Sequence, residues 1–155
     1  MNYLVLSEVA RRTIKLKEVK SNYISNIIEL SNQIIKGQPF TQNLIGEVIK
    51  EDEEVYFKIF EYRINTSYNI VTNSNNSAYL KCTFSTIKED QNQYICHFYF
   101  DGFGNIFHYY NNEENNSVKL NLSYSTDPDL AHKVLNYIGN NLLNSQIMNA
   151  GEEIN

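Results

Sequence analysis

Two stretches of the chain carry a helical period, and the long middle carries an alternating one. Between Ser21 and Lys36, Ile24, Ile27, Ile28, Ile34 and Ile35 fall on one stripe, and Gly37-Gln38-Pro39 supplies a stop. Asn22, Asn26, Glu29, Asn32 and Gln33 take the other side, so this helix is expected to lie on a sheet with one face wet. From Asp127 to Asn144 a second stripe runs through Leu130, Ala131, Val134, Leu135, Ile138 and Leu142. Asp127 suits an N-cap, and Pro128 suits the first helical position, where a missing N–H costs nothing. Gly139 weakens this helix by about 1 kcal/mol relative to alanine and suggests a close backbone approach there. Residues 3–19 fit either period: Thr13–Val19 alternates like a strand, while Ser7–Arg12 can turn as a helix.

From Leu44 to Ser125 the pattern predicts strands at 44–50, 55–64, 68–72, 78–88 and 118–124, with two more in an aromatic-rich hairpin. The breaks carry turn chemistry: Glu51–Glu54, Asn73–Ser77, Glu89–Asn92 and Asn111–Asn116. Short turns between successive strands make a meander, so the sheet should be mostly antiparallel. The expected fold class is α+β: one domain over 1–155, with a single sheet of about six strands covered by an N-terminal and a C-terminal helix.

The hairpin spans Tyr94–Tyr110 and turns at Asp101-Gly102-Phe103-Gly104. A four-residue loop would set Cys96, Phe98, Phe100, Phe107 and Tyr109 on one face, and His97, Tyr99, Ile106, His108 and Tyr110 on the other. Both faces are rich in large rings, which places the hairpin in the middle of its sheet.

Composition then narrows the class. Hydrophobic residues make up 42% of the 155 positions and aromatic residues 13%, too many for a disordered chain. No apolar run approaches a membrane span and the first residues lack a signal-peptide pattern, so a cytoplasmic protein with no membrane partner is expected. Cys82 and Cys96 both fall inside predicted strands and read as free, buried, small hydrophobes. Net charge is −5 but uneven: residues 1–50 hold seven basic and four acidic side chains, and residues 51–155 hold six and fourteen. The resulting balance of −8 over the larger part argues against nucleic acid as a partner and favours a basic one. Arg11, Arg12, Lys15, Lys17 and Lys20 form the one basic cluster, read as a solvated face.

Catalytic chemistry finds little to stand on. His97 and His108 would sit opposite each other across a four-residue loop, yet a metal needs a third ligand and only turn acids such as Glu113 lie near. Gly102-x-Gly104 lacks the third glycine, lysine and following helix of a phosphate loop. No nucleophile elbow or paired-histidine helix motif is present, so no catalytic residue, metal or cofactor is expected. The acidic turns are more informative. Glu51, Asp52, Glu53 and Glu54, and also Glu113 and Glu114, lie beside the strand tyrosines Tyr56, Tyr109 and Tyr110. Tyrosine offers rigid contact area and carboxylates pair with a basic partner, so these nine residues are the candidate binding surface.

In size, acidity and lack of catalytic motifs the chain resembles the small immunity proteins that neutralise interbacterial toxins, such as those of contact-dependent inhibition. The resemblance is one of type, carried by no diagnostic motif, so no binding residue is transferred from it. It implies stoichiometric inhibition of a cognate toxin, often a basic nuclease. Two alternatives come from other classes. A sheet gripping a C-terminal helix resembles the helix-grip fold of small-molecule and lipid binders, and small acidic secretion chaperones share the chain's composition.

Overall fold

The computed structural model describes residues 3–37, 45–52, 54–72, 77–107 and 130–148. One long helix, α1 (Tyr3–Gly37), precedes the strands β1 (Ile45–Glu51), β2 (Glu54–Ile59), β3 (Tyr62–Thr72), β4 (Ala78–Lys88), β5 (Gln91–Phe100) and β6 (Ile106–Phe107). A second helix, α2 (Leu130–Leu143), closes the order. The strands pair antiparallel in the sequence order β1-β2-β3-β4-β5-β6, giving five full strands and a two-residue sixth. The architecture is therefore α+β, a meander sheet with an N-terminal and a C-terminal helix. The strand expected at 118–124 lies outside the described residues, as do Asp127, Pro128 and the tail from Asn149.

The segment left open between strand and helix is helical throughout, and α1 begins at Tyr3 rather than Ser21. Its 35 residues span about 52 Å. The stripe that decides the matter is Leu16, Val19, Tyr23, Ile24 and Ile27, every one buried, with Ser31 one turn further on. Ile14 and Leu16, which imitate strand alternation, are 61% and 0% exposed because one faces water and the other the sheet. The first turns are supported locally. Arg11 Nη2 bonds Glu8 Oε2 at 2.6 Å, Arg12 Nε bonds Glu8 Oε1 at 3.2 Å, and Thr13 Oγ1 donates to the Val9 carbonyl at 2.8 Å. The two guanidinium groups, Arg11 first, hold the Glu8 carboxyl below its ordinary pKa.

Two tight turns revise the strand boundaries. The expected strand 55–64 is broken at Phe60-Glu61, where Ile59 pairs with Tyr62 and Phe60 takes φ 54°. From Tyr62 the chain then runs unbroken to Thr72, joining the separate strand expected at 68–72. Between β4 and β5 the turn is Glu89-Asp90, with φ 54° and 62°, so β5 starts at Gln91. Left-handed φ at successive turn residues matches the right-handed twist of the strands that they join.

The aromatic hairpin turns through five residues, not four. Phe100 pairs with Ile106, and Asp101 N donates to the Asn105 carbonyl at 3.0 Å. The Asp101 carboxylate organises the loop: Oδ1 accepts from the Phe103 and Asn105 amides and Oδ2 from Asn105 Nδ2, each at 2.9 Å. Gly104, at φ 84°, supplies the left-handed residue that this loop needs. An odd loop moves Ile106 to the core face with Phe98 and Phe100, opposite to the expected side, and it is fully buried. The expected juxtaposition of His97 and His108 rests on His108, which lies outside the described residues. The hairpin also closes one end of the described strand order, not its middle.

Both helices cover the same side of the sheet. α1 packs on β1, β4 and α2, and α2 packs on β5 and α1. Between them lies one apolar layer in which Phe57, Phe84, Phe98 and Phe100 meet Tyr23 from α1 and Val134, Ile138 and Leu142 from α2. Polar ties fix α2 to the sheet: Tyr137 Oη donates to the His97 carbonyl at 2.6 Å, and Tyr62 Oη and Lys88 Nζ both donate to the Ile147 carbonyl. The expected close approach at Gly139 is absent, since a methyl group there would meet nothing within 4 Å. Gly139→Ala should therefore stabilise the chain by about 1 kcal/mol, read as a rise in the urea midpoint at unchanged slope. A loss of stability would mean that this face of α2 is packed after all.

No helix among the described residues is long and apolar enough to cross a membrane.

Candidate protein-binding surface

Among the described residues no helix covers the other face of the sheet, and there the candidate residues of β1 and β2 assemble. Glu51 pairs with Glu54 across a turn in which Asp52 has φ 56°, and Ile49 pairs with Tyr56. All four strand residues stand on the face opposite Val48, Val55 and Phe57, which are buried under α1. Asp52 is exposed in the turn itself, while Glu53, Tyr109, Tyr110, Glu113 and Glu114 lie outside the described residues.

Sequence patterning missed the residue that organises this corner. Arg63, on β3 opposite Lys58, lays its guanidinium 3.9 Å from the centroid of the Tyr56 ring. Its Nη2 also reaches Glu51 Oε2 at 3.4 Å. The Tyr56 hydroxyl donates to Glu54 Oε2, and that bond raises the phenol above its ordinary pKa. Tyr56 is thus clamped on its face by a cation and at its tip by a carboxylate. Each exposed contact adds little to stability, because solvent screens it. Their effect is to hold one rotamer, so that little side-chain freedom remains to be lost on binding. The Glu51, Asp52 and Glu54 carboxylates outnumber the cations Arg63 and Lys58 at this corner by one, and Ile49, 37% exposed, gives it an apolar floor. Only strand register could have found Arg63, because it comes from the strand after a turn that the sequence does not announce.

At the far end of the same face stand Ile87 and Tyr94, 63% and 57% exposed. The Tyr94 hydroxyl bonds His97 Nδ1, and the His97 ring packs edge-on against Tyr99 at 5.2 Å. His97, opposite Thr83 and between two tyrosines, has hydrogen-bonding capacity, while both thiols lie on the other face. Cys82 and Cys96 are free and buried, and burial pushes the Cys96 thiol up to about 12 and the Cys82 thiol well above its ordinary value. Thiols kept protonated at neutral pH are poor nucleophiles and poor metal ligands. Among the described residues no three His, Cys, Asp or Glu side chains converge as a metal site would require.

Two open clefts flank α1. One, of about 360 Å³, lies between its first turns, the start of β4 and the β5–β6 loop, with Arg11, Arg12 and Lys15 facing Glu8 and Asp101. Phe103 projects at its rim, 80% exposed, with Lys15 Nζ 5.7 Å from its ring. The other, on the β1 side, holds Lys17, Lys20 and Lys50. The basic cluster is therefore divided between two clefts instead of forming one solvated face.

Compared with known proteins, the chain matches no family model, no curated protein and no solved structure.

Proposed function

We propose that the chain is a non-catalytic protein-binding domain of the immunity type, which neutralises a cognate basic toxin by covering it with the open face of the sheet. The observation that carries this reading is the clamped Tyr56, flanked by exposed Ile49 and set in an acidic corner. Preorganised tyrosine beside an apolar residue is the composition of an interface hot spot, and surrounding carboxylates accelerate encounter with a cationic partner. The reading places the chain in the cytoplasm of the cell that it protects. Ring packing between α1 and the sheet, with Tyr23 at 4.9 Å from Phe100 and 5.9 Å from Phe98, supports it over a small-molecule carrier, which would keep a hollow there.

The test begins by co-expressing the chain with the product of the adjacent reading frame, purifying the complex and following association by stopped flow. At low ionic strength the Glu51→Gln/Glu54→Gln variant should associate roughly three- to tenfold more slowly, with the difference vanishing at high salt. Its circular dichroism should be unchanged, because all the altered groups are exposed. Association that is equally fast in the variant and indifferent to salt would remove the acidic corner from the interface. No complex with any basic partner would remove the reading itself.

A further inference from the structure

We propose that the layer between α1 and the sheet contains an internal water site, in which one water bridges the hydroxyls of Tyr23 and Tyr68. Among the described residues four buried side-chain hydroxyls have no hydrogen-bond partner on the protein: those of Tyr23, Ser31, Thr66 and Tyr68. Three of the four fall in one patch. On β3, Tyr68 lies opposite Cys82 and Thr66 opposite Phe84, so both stand on the face that α1 covers. Cys82 in turn lies opposite Phe98, and the Tyr23 ring comes down on Phe98 and Phe100 at 5.9 and 4.9 Å.

The far end of that ring meets polar groups. After burial itself, the side chains that hold the Tyr23 phenol above its ordinary pKa are Cys82, Tyr68 and Cys96. Its tip therefore stands over β4, within electrostatic reach of the Tyr68 hydroxyl and of both thiols. Thiols are weak hydrogen-bonding groups, and neither hydroxyl bonds one. A hydroxyl in such a place gives up its bonds to bulk water and gains none from the protein, a loss that native interiors relieve by holding a water. Clustering is what points to a shared partner. Scattered orphans would each need their own, whereas one water offers two donors and two acceptors to hydroxyls that stand close together.

Solvent also has a way in. Lys20 and Ile24, on either side of Tyr23 along α1, line the open cleft of about 450 Å³ on the β1 side. Lys20 Nζ lies 4.7 Å from the centroid of the Tyr68 ring, which marks half-buried Tyr68 as the side chain between cleft and core. The site is thus one side chain away from bulk water. A bridge from Tyr23 to Tyr68 ties α1 to β3 by a directional contact, in a layer otherwise packed with rings and aliphatic chains. Ring packing is tolerant of rotation, and a hydrogen-bonded bridge is not.

A high-resolution crystal structure of the full chain tests the site directly: an ordered water should lie within about 3 Å of both hydroxyls. Urea denaturation tests it independently. Tyr23→Phe and Tyr68→Phe should each lower the folding equilibrium constant about fivefold, the loss expected for a buried hydrogen bond. The double variant should cost well under about twenty-fivefold, the product for independent sites, because both single changes break the same bridge. A dry layer, or a water held by only one of the two hydroxyls, overturns the proposal. So does a phenylalanine variant at either position that is as stable as the native chain or more so, since a hydroxyl with no partner is better removed. Costs that simply multiply in the double variant overturn the bridge as well.

Discussion

Phe98→Ala should cost about 3–5 kcal/mol of folding stability, a large part of what holds a chain of this size together. Phe98 is fully buried where α1, α2 and the sheet meet. Its ring lies 5.9 Å from Tyr23 of α1, 6.3 Å from Tyr137 of α2, 5.4 Å from Phe84 of β4 and 5.2 Å from Phe100 of its own strand. Removing it opens a cavity that cannot collapse without moving both helices, so the cavity penalty adds to the lost transfer free energy. Urea denaturation measures the difference directly. Phe103→Ala, at the 80% exposed tip of the neighbouring loop, is the matched control and should stay within about 0.5 kcal/mol. A cost below about 1.5 kcal/mol at Phe98 would show that the ring is not the junction of the layers.

The second large effect tests the course of α1. Leu16→Ala should destabilise by about 2–4 kcal/mol, while Ile14→Ala, only two residues earlier, should change stability by less than about 0.5 kcal/mol. Two such neighbours would share a face if the segment were a strand and would cost comparable amounts. In the helix they are 200° apart by the period of 3.6 residues, one against the sheet and the other in water. Similar losses at both positions would return residues 3–19 to the extended alternative. Together with the stabilisation expected at Gly139, the two results bracket the helices from both ends.

Much of this molecule was readable before any coordinates. The burial of Ile24 and Ile27 on α1, of Val134, Leu135, Ile138 and Leu142 on α2, and of both cysteines follows from residue type and period alone, because a helix face or a strand face must be apolar to leave water. The strand Ala78–Lys88 was legible for the same reason: its burial alternates residue by residue from Ala78 to Thr86. Errors gathered where backbone geometry departs from residue preference. Phe60-Glu61 and Glu89-Asp90 turn tightly with positive φ and without glycine, so a reader looking for Gly or Asn runs one strand through the first and lengthens the second. Asp101 adds a fifth residue to its loop through three hydrogen bonds to its own carboxylate, and that single residue inverts the faces of the following strand.

What the chain determined by itself was its class: two amphipathic helices, a meander of alternating strands, and an acidic balance over residues 51–155 set against a basic N-terminal segment. Those are one-dimensional properties, fixed by period and composition. Tertiary structure alone decided that Arg63 crosses to Tyr56 and Glu51, and that Lys50 joins Lys17 and Lys20 in one cleft. Such meetings depend on strand register and on the rotation of α1 over the sheet. Both are set by how the buried faces interlock, and neither has any period in the sequence to announce it.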